Sequence, residues 1–73
     1  MTSIRDYLKK LRANKNFTQK DVATRIGISS NYYNMIENEE RQKKLNIDTI
    51  IKLAEVFNIT LSEIISLETK KDF

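Results

Sequence analysis

The stretch Thr18-Gln19-Lys20-Asp21-Val22-Ala23-Thr24-Arg25-Ile26-Gly27-Ile28-Ser29-Ser30-Asn31-Tyr32-Tyr33-Asn34-Met35-Ile36-Glu37-Asn38 decides the fold. Thr18 followed three residues later by Asp21 has the form of a capping box, in which each side chain answers the other's backbone N–H. Val22, Ala23 and Ile26 then make one apolar face, and Gly27 offers a left-handed stop, so a helix is expected over 19–26. Ser29 is a good N-cap for a second helix over 30–38. At about 100° per residue, Ser30, Asn31, Asn34, Met35 and Asn38 fall on one side of it, and Tyr32, Tyr33 and Ile36 on the other.

Working outward, Ser3 with Asp6 reads as a cap for an earlier helix over 3–14, carrying Ile4, Leu8 and Leu11 with Tyr7 beside them, and Asn16 as its left-handed stop. Beyond the charged stretch 39–44, Asn46 caps a helix with Ile47, Ile50, Leu53, Ala54 and Phe57 on one face. Thr60 and Glu63 form a second capping box, opening a last helix with Leu61, Ile64, Ile65 and Leu67. The expectation is an all-α, five-helix domain over 1–68 and a flexible tail over 69–73. Its second and third helices, with a three-residue turn that holds the chain's only glycine, have the helix-turn-helix arrangement. Gly27 suits the turn because a residue without Cβ lets two helices approach; a plain C-cap in a helical bundle is the competing explanation.

Composition narrows the chemistry. A chain of 73 residues supports one core. The absence of Cys and His removes the usual zinc, iron–sulfur and haem ligands and any disulfide, so neither metal nor cofactor is expected. Carboxylates, Lys and Tyr alone form no spaced acid–base constellation, so an enzyme is not expected. No apolar run approaches a membrane span and no signal-peptide core follows Met1, which points to the cytoplasm. Residues 1–44 hold 10 of the 13 Lys and Arg but 5 of the 10 acids. A basic front half suggests a polyanionic partner on that side.

The polar face of the third helix is the informative surface. Ser and Asn are poor helix formers, and solubility alone is met more cheaply by Lys or Glu. Short amides and hydroxyls both donate and accept, as base edges in a major groove require, and Asn can bind adenine through two hydrogen bonds. A merely solvated polar face is the plainer alternative. Met35, at the rim, could meet a thymine methyl or be incidental.

From Ile4 to Ile65 the chain resembles the phage-repressor and Cro type of helix-turn-helix regulator, the xenobiotic-response-element (XRE) family. The matching residues are Leu11-Arg12, Phe17 to Ala23, Ile26 to Ser29, Tyr32 to Asn38, and Leu53 to Leu61. The resemblance implies a lambda-repressor-like domain whose third helix enters the major groove. It implies base contacts from Gln19, Ser30, Asn31, Asn34 and Met35, with Gln19 also able to reach a phosphate. Phosphate contacts fall to Thr18, Asn38 and the loop residues Arg41, Lys43 and Lys44, with the Tyr32 hydroxyl as a further candidate. It also implies an ion pair between Arg12 and Glu37, two unrelated surface charges being the alternative. Departures are Glu39 and Glu40, acidic where the family often has Gly and Lys, Lys44 near a usual proline, and Tyr33 in place of a smaller aliphatic residue.

The resulting expectation is a sequence-specific transcriptional repressor binding double-stranded DNA as a homodimer through Leu61, Ile64, Ile65 and Leu67. Phage or mobile-element repressors, restriction controllers and antitoxins all use such stand-alone domains, and a regulatory protein partner fits this class. The alternative is a protein-interaction module, antitoxin-like or an adaptor, with weak DNA binding, motivated by Glu39 and Glu40.

Overall fold

The computed structural model describes residues 5–38 and 45–70. Five helices follow in order: α1 (Asp6–Lys15), α2 (Gln19–Ile26), α3 (Ser30–Asn38), α4 (Ile47–Phe57) and α5 (Leu61–Lys70). The bounds of α2 and α3 fall where their caps put them. Asp21 N donates to Thr18 Oγ1 at 3.0 Å and Thr18 N donates to Asp21 Oδ2 at 2.8 Å. Tyr32 N donates to Ser29 Oγ at 3.0 Å, and Thr49 N to Asn46 Oδ1 at 2.9 Å. In the box opening α5, Glu63 N donates to Thr60 Oγ1 at 3.1 Å.

Two ends differ from expectation. α1 starts at Asp6 after Arg5, which makes no side-chain cap, whereas the expected cap Ser3 lies outside the described residues. At the other end α5 continues through Thr69 and Lys70, expected in the tail, with the Thr69 hydroxyl donating to Ile65 O at 2.6 Å. Residues 71–73 lie outside the described residues.

Three helices stop in the same way. Asn16, Gly27 and Asn58 adopt left-handed φ of 57°, 79° and 56°. The next residue's N–H then reaches back five positions: Phe17 to Arg12 O, Ile28 to Ala23 O and Ile59 to Ala54 O, at 2.9–3.0 Å. Phe17, Ile28 and Ile59 pack against the core, completing the hydrophobic half of the Schellman stop. A Cβ built on Gly27 meets nothing within 4 Å. Close helix approach is therefore not what requires glycine there; the positive φ is.

α2 packs on α3 and α4, α1 on α3 and α4, and α5 on α4. Their apolar faces meet in one core of Leu8, Val22, Ala23, Ile26, Tyr33, Ile36, Leu53, Ala54, Phe57 and Ile64, none more than 5% exposed. Each buried Leu, Ile or Phe contributes about 1.5–3 kcal/mol over leaving it in water. Ile64 is 0% exposed. It was expected at a dimer face, but it is the one residue of α5 that fills the core, and a side chain sealed there cannot meet a second protomer.

Candidate nucleic-acid interface

The far end of α3 is tied to α1 by ionic as well as apolar contacts. Arg12 on α1 donates from Nε to Glu37 Oε2 at 2.6 Å and from a terminal nitrogen to Glu37 Oε1 at 3.1 Å. Glu37 is fully buried and the Arg12 side chain is 18% exposed. The expected pair is therefore present, two-pronged and largely sealed. Its hydrogen bonds to Glu37 raise the pKa of Arg12. A further Arg12 nitrogen donates to Phe17 O at 3.3 Å, while the Arg25 guanidinium lies 4.6 Å from the centre of the Phe17 ring.

Tyr33 accommodates its larger ring by total burial, with its hydroxyl beside the ion pair but in no hydrogen bond of good geometry. Burial, followed by the neighbouring Glu37 carboxylate, pushes its pKa well above the ordinary phenol range. The outer surface of α3 is polar as the spacing implies. Ser30, Asn31 and Asn34 are exposed on it, and Met35 is half-buried at its edge. Tyr32, grouped by helical spacing with the inward side, is 37% exposed and does not join the core.

Gln19, at the first position of α2, is drawn into this assembly. Its Nε2 donates to Glu37 Oε1 at 2.9 Å, and its Oε1 accepts from Asn34 Nδ2 at 3.2 Å. Spacing does not reveal this bridge, because it joins residues 15 and 18 positions apart across the turn. Asn38 spends an Nδ2 hydrogen on Asn34 O, one helical turn back, at 3.0 Å. It ends α3 without adopting a left-handed conformation; among the described residues the asparagines that do so are Asn16 and Asn58. At the mouth of α2, the backbone N–H of Thr18, and then its hydroxyl, hold the Asp21 carboxyl below its usual range. Arg41, Lys43 and Lys44, expected along the DNA backbone, and Glu39 and Glu40 lie outside the described residues.

A second buried ionic cluster was missed by sequence reasoning. Arg5 is 0% exposed. Its Nε donates to both Glu68 oxygens at 3.0 and 3.2 Å, a terminal nitrogen donates to Glu68 at 3.0 Å, and another to Ile36 O at 2.6 Å. Its own N–H reaches Glu37 O at 3.2 Å. The Tyr7 hydroxyl donates to Glu68 at 2.5 Å, and burial and then that bond raise its pKa. Arg5 thus joins α5 to the last turn of α3. A signal existed: Arg5 lies three residues before Leu8, and Glu68 four after Ile64, so both charges share a core-facing stripe.

The described part of the chain offers no cluster of His, Cys, Asp or Glu able to hold a metal ion, and no helix long and apolar enough to cross a membrane. What it presents is a short helix displaying uncharged donors and acceptors, braced from behind by two buried ion pairs. No curated protein matches the chain. The family model described as helix-turn-helix matches residues 8–64, from the first turn of α1 into α5 and across both Gly27 and Glu37. With its all-helical architecture, its left-handed turn at Gly27 and the Arg12–Glu37 brace, the chain belongs to the XRE-type helix-turn-helix family of DNA-binding regulators.

Proposed function

We propose that this regulator is a repressor that binds operator half-sites as a homodimer and reads them with α3 in the major groove. The observation that carries the reading is the exposed set Ser30, Asn31 and Asn34 on α3: groups that both donate and accept, on a helix whose opposite side is sealed into the core. In this reading Ser30, Asn31, Asn34, Met35 and Gln19 meet base edges, and Thr18, Tyr32, Asn38, Arg41, Lys43 and Lys44 meet phosphates. Phosphate contacts position the domain and carry its salt dependence; base contacts select the site.

One module reads few base pairs, so two-fold pairing with half-sites about one DNA turn apart supplies the rest. The pairing surface proposed is α5, where Leu61 and Ile65 are 41% and 43% exposed one turn apart and Leu67 is half-buried. The alternative, a helical interaction module with weak DNA binding, is favoured by the same exposed groups with Ile47 and Ile51 on α4. Selection of bound duplexes from a random pool, with sedimentation of the free protein and the complex, separates the two. A two-fold symmetric motif bound by two protomers supports the repressor dimer, and Leu61→Glu should lower affinity for the full site while leaving the half-site preference. Equal binding to all duplexes removes the repressor reading.

A further inference from the structure

Four side chains form one hydrogen-bonded chain from the core to the outer face of α3: Arg12 to Glu37, Glu37 to Gln19, Gln19 to Asn34. Its direction is dictated from the buried end. An ionised carboxylate only accepts, and Glu37, 0% exposed against a guanidinium, has no freedom to do otherwise. Gln19 can therefore turn only its NH₂ towards Glu37. Its carbonyl oxygen, on the same carbon, then faces Asn34, which answers with Nδ2. Rotating either amide by half a turn would set acceptor against acceptor or donor against donor.

We infer that buried Glu37, acting through Gln19, fixes the donor–acceptor polarity of exposed Asn34, and that Asn34 thereby reads adenine. With one Nδ2 hydrogen committed to Gln19, Asn34 presents Oδ1 as acceptor beside the second hydrogen as donor. Adenine offers the complement, an N6 amino donor beside the N7 acceptor; guanine offers two acceptors, N7 and O6, and meets Oδ1 with O6. A freely rotating Asn adapts to several edges, whereas one held in place favours a single pattern. Glu37 and Gln19 are positioning residues in this scheme and Asn34 is the reader. The inference rests on the DNA-reading role proposed above for α3.

The test uses the full chain and the duplex selected by the wild-type protein, with each base pair varied singly and affinities measured by fluorescence anisotropy. Asn34→Ala identifies the base pair that Asn34 reads, as the position whose preference disappears. At that position the wild type should favour adenine by on the order of ten- to a hundredfold. Glu37→Gln should flatten this preference several-fold and leave the other positions as they were, since a neutral amide at 37 accepts either orientation of Gln19. Because Glu37→Gln touches a buried ion pair, Gln19→Met serves as the second variant. It disconnects Asn34, leaves the Arg12–Glu37 pair intact, and should flatten the same position; loss of any contact made by Gln19 itself would register elsewhere or uniformly. A purely structural role would weaken all positions alike and leave the preference at the Asn34 position unchanged, and that result overturns the inference. So does a preference at the Asn34 position that survives Gln19→Met, or one for a base other than adenine; in both cases the repressor reading stands. A wild-type protein with no sequence preference overturns both.

Discussion

Replacing Arg12 with Met removes one member of the Arg12–Glu37 pair and keeps most of the aliphatic stem. The carboxylate left behind is 0% exposed and retains a hydrogen bond from the amide of Gln19 at 2.9 Å. Stranding a charge in this way costs ~3–5 kcal/mol. A domain of this length is stable by roughly 4–11 kcal/mol, so a large share is lost, and the melting temperature should fall by ~4–8 °C for each kcal/mol. The opposite change, Glu37→Gln, should cost less, about 1–3 kcal/mol, because the stranded Arg12 is 18% exposed and can turn to water. Replacing both, as Arg12→Met with Glu37→Leu, should recover much of the single-variant loss, since an apolar pair of similar volume leaves no buried charge unpaired. Urea denaturation followed by circular dichroism measures all three, and Glu37→Leu alone closes the double-mutant cycle. If Arg12→Met lies within about 1 kcal/mol of the wild type, or costs less than Glu37→Gln, the burial argument for this pair is wrong.

Gly27 adopts φ +79° with open space where a Cβ would lie, so substitutions there should rank by backbone strain and not by size. Gly27→Asn should be nearly neutral, Gly27→Ala should cost about 1 kcal/mol, and Gly27→Val up to ~3 kcal/mol with a parallel loss of DNA affinity; normal folding and binding by Gly27→Val would show that the turn is not under this constraint. Asn16→Gly, at a stop of the same hand, should be tolerated. At alkaline pH the sign follows from Tyr7 and Tyr33, whose folded pKa values are raised, chiefly by burial. Their contribution is fully present below the unfolded value near ~10 and is lost as pH rises beyond it, by up to ~1.4 kcal/mol per pH unit for each tyrosine. Denaturation midpoints against pH should fall more gently above that value in Tyr7→Phe than in the wild type; identical slopes would mean that Tyr7 ionises freely in the folded state.

The helix limits and the reading face were open to sequence reasoning because they rest on neighbours in the chain. Thr18 meets Asp21, Asn46 meets the N–H of Thr49, and Thr60 meets Glu63, each three residues away, so those starts need no knowledge of packing. The side of α3 that carries Ser30, Asn31 and Asn34 follows from helical geometry, and the Arg12–Glu37 brace from likeness to a family. Periodicity alone was less able to rank positions near a boundary. It grouped Tyr32 with Tyr33, yet one is 37% exposed and the other sealed, and it put Leu61, Ile64 and Ile65 on one apolar face without showing that Ile64 alone of them fills the core.

Arg5 and Glu68 show why the rest required three dimensions. They stand 63 residues apart, and nothing local distinguishes them from surface charges until the two ends of the chain pack together. The hydrogen bonds of Gln19 are similar: its place at the start of α2 is a matter of sequence, but its orientation is set by a carboxylate that reaches it only when α3 folds back over the turn. Of the two reasons the sequence offered for glycine at 27, room for two helices and a left-handed stop, the packed structure keeps only the second. Capping and periodicity act over three or four residues and so are written along the chain. Burial, and the pairing of charges that burial enforces, depends on which distant surfaces exclude water together, and is set when the five helices meet.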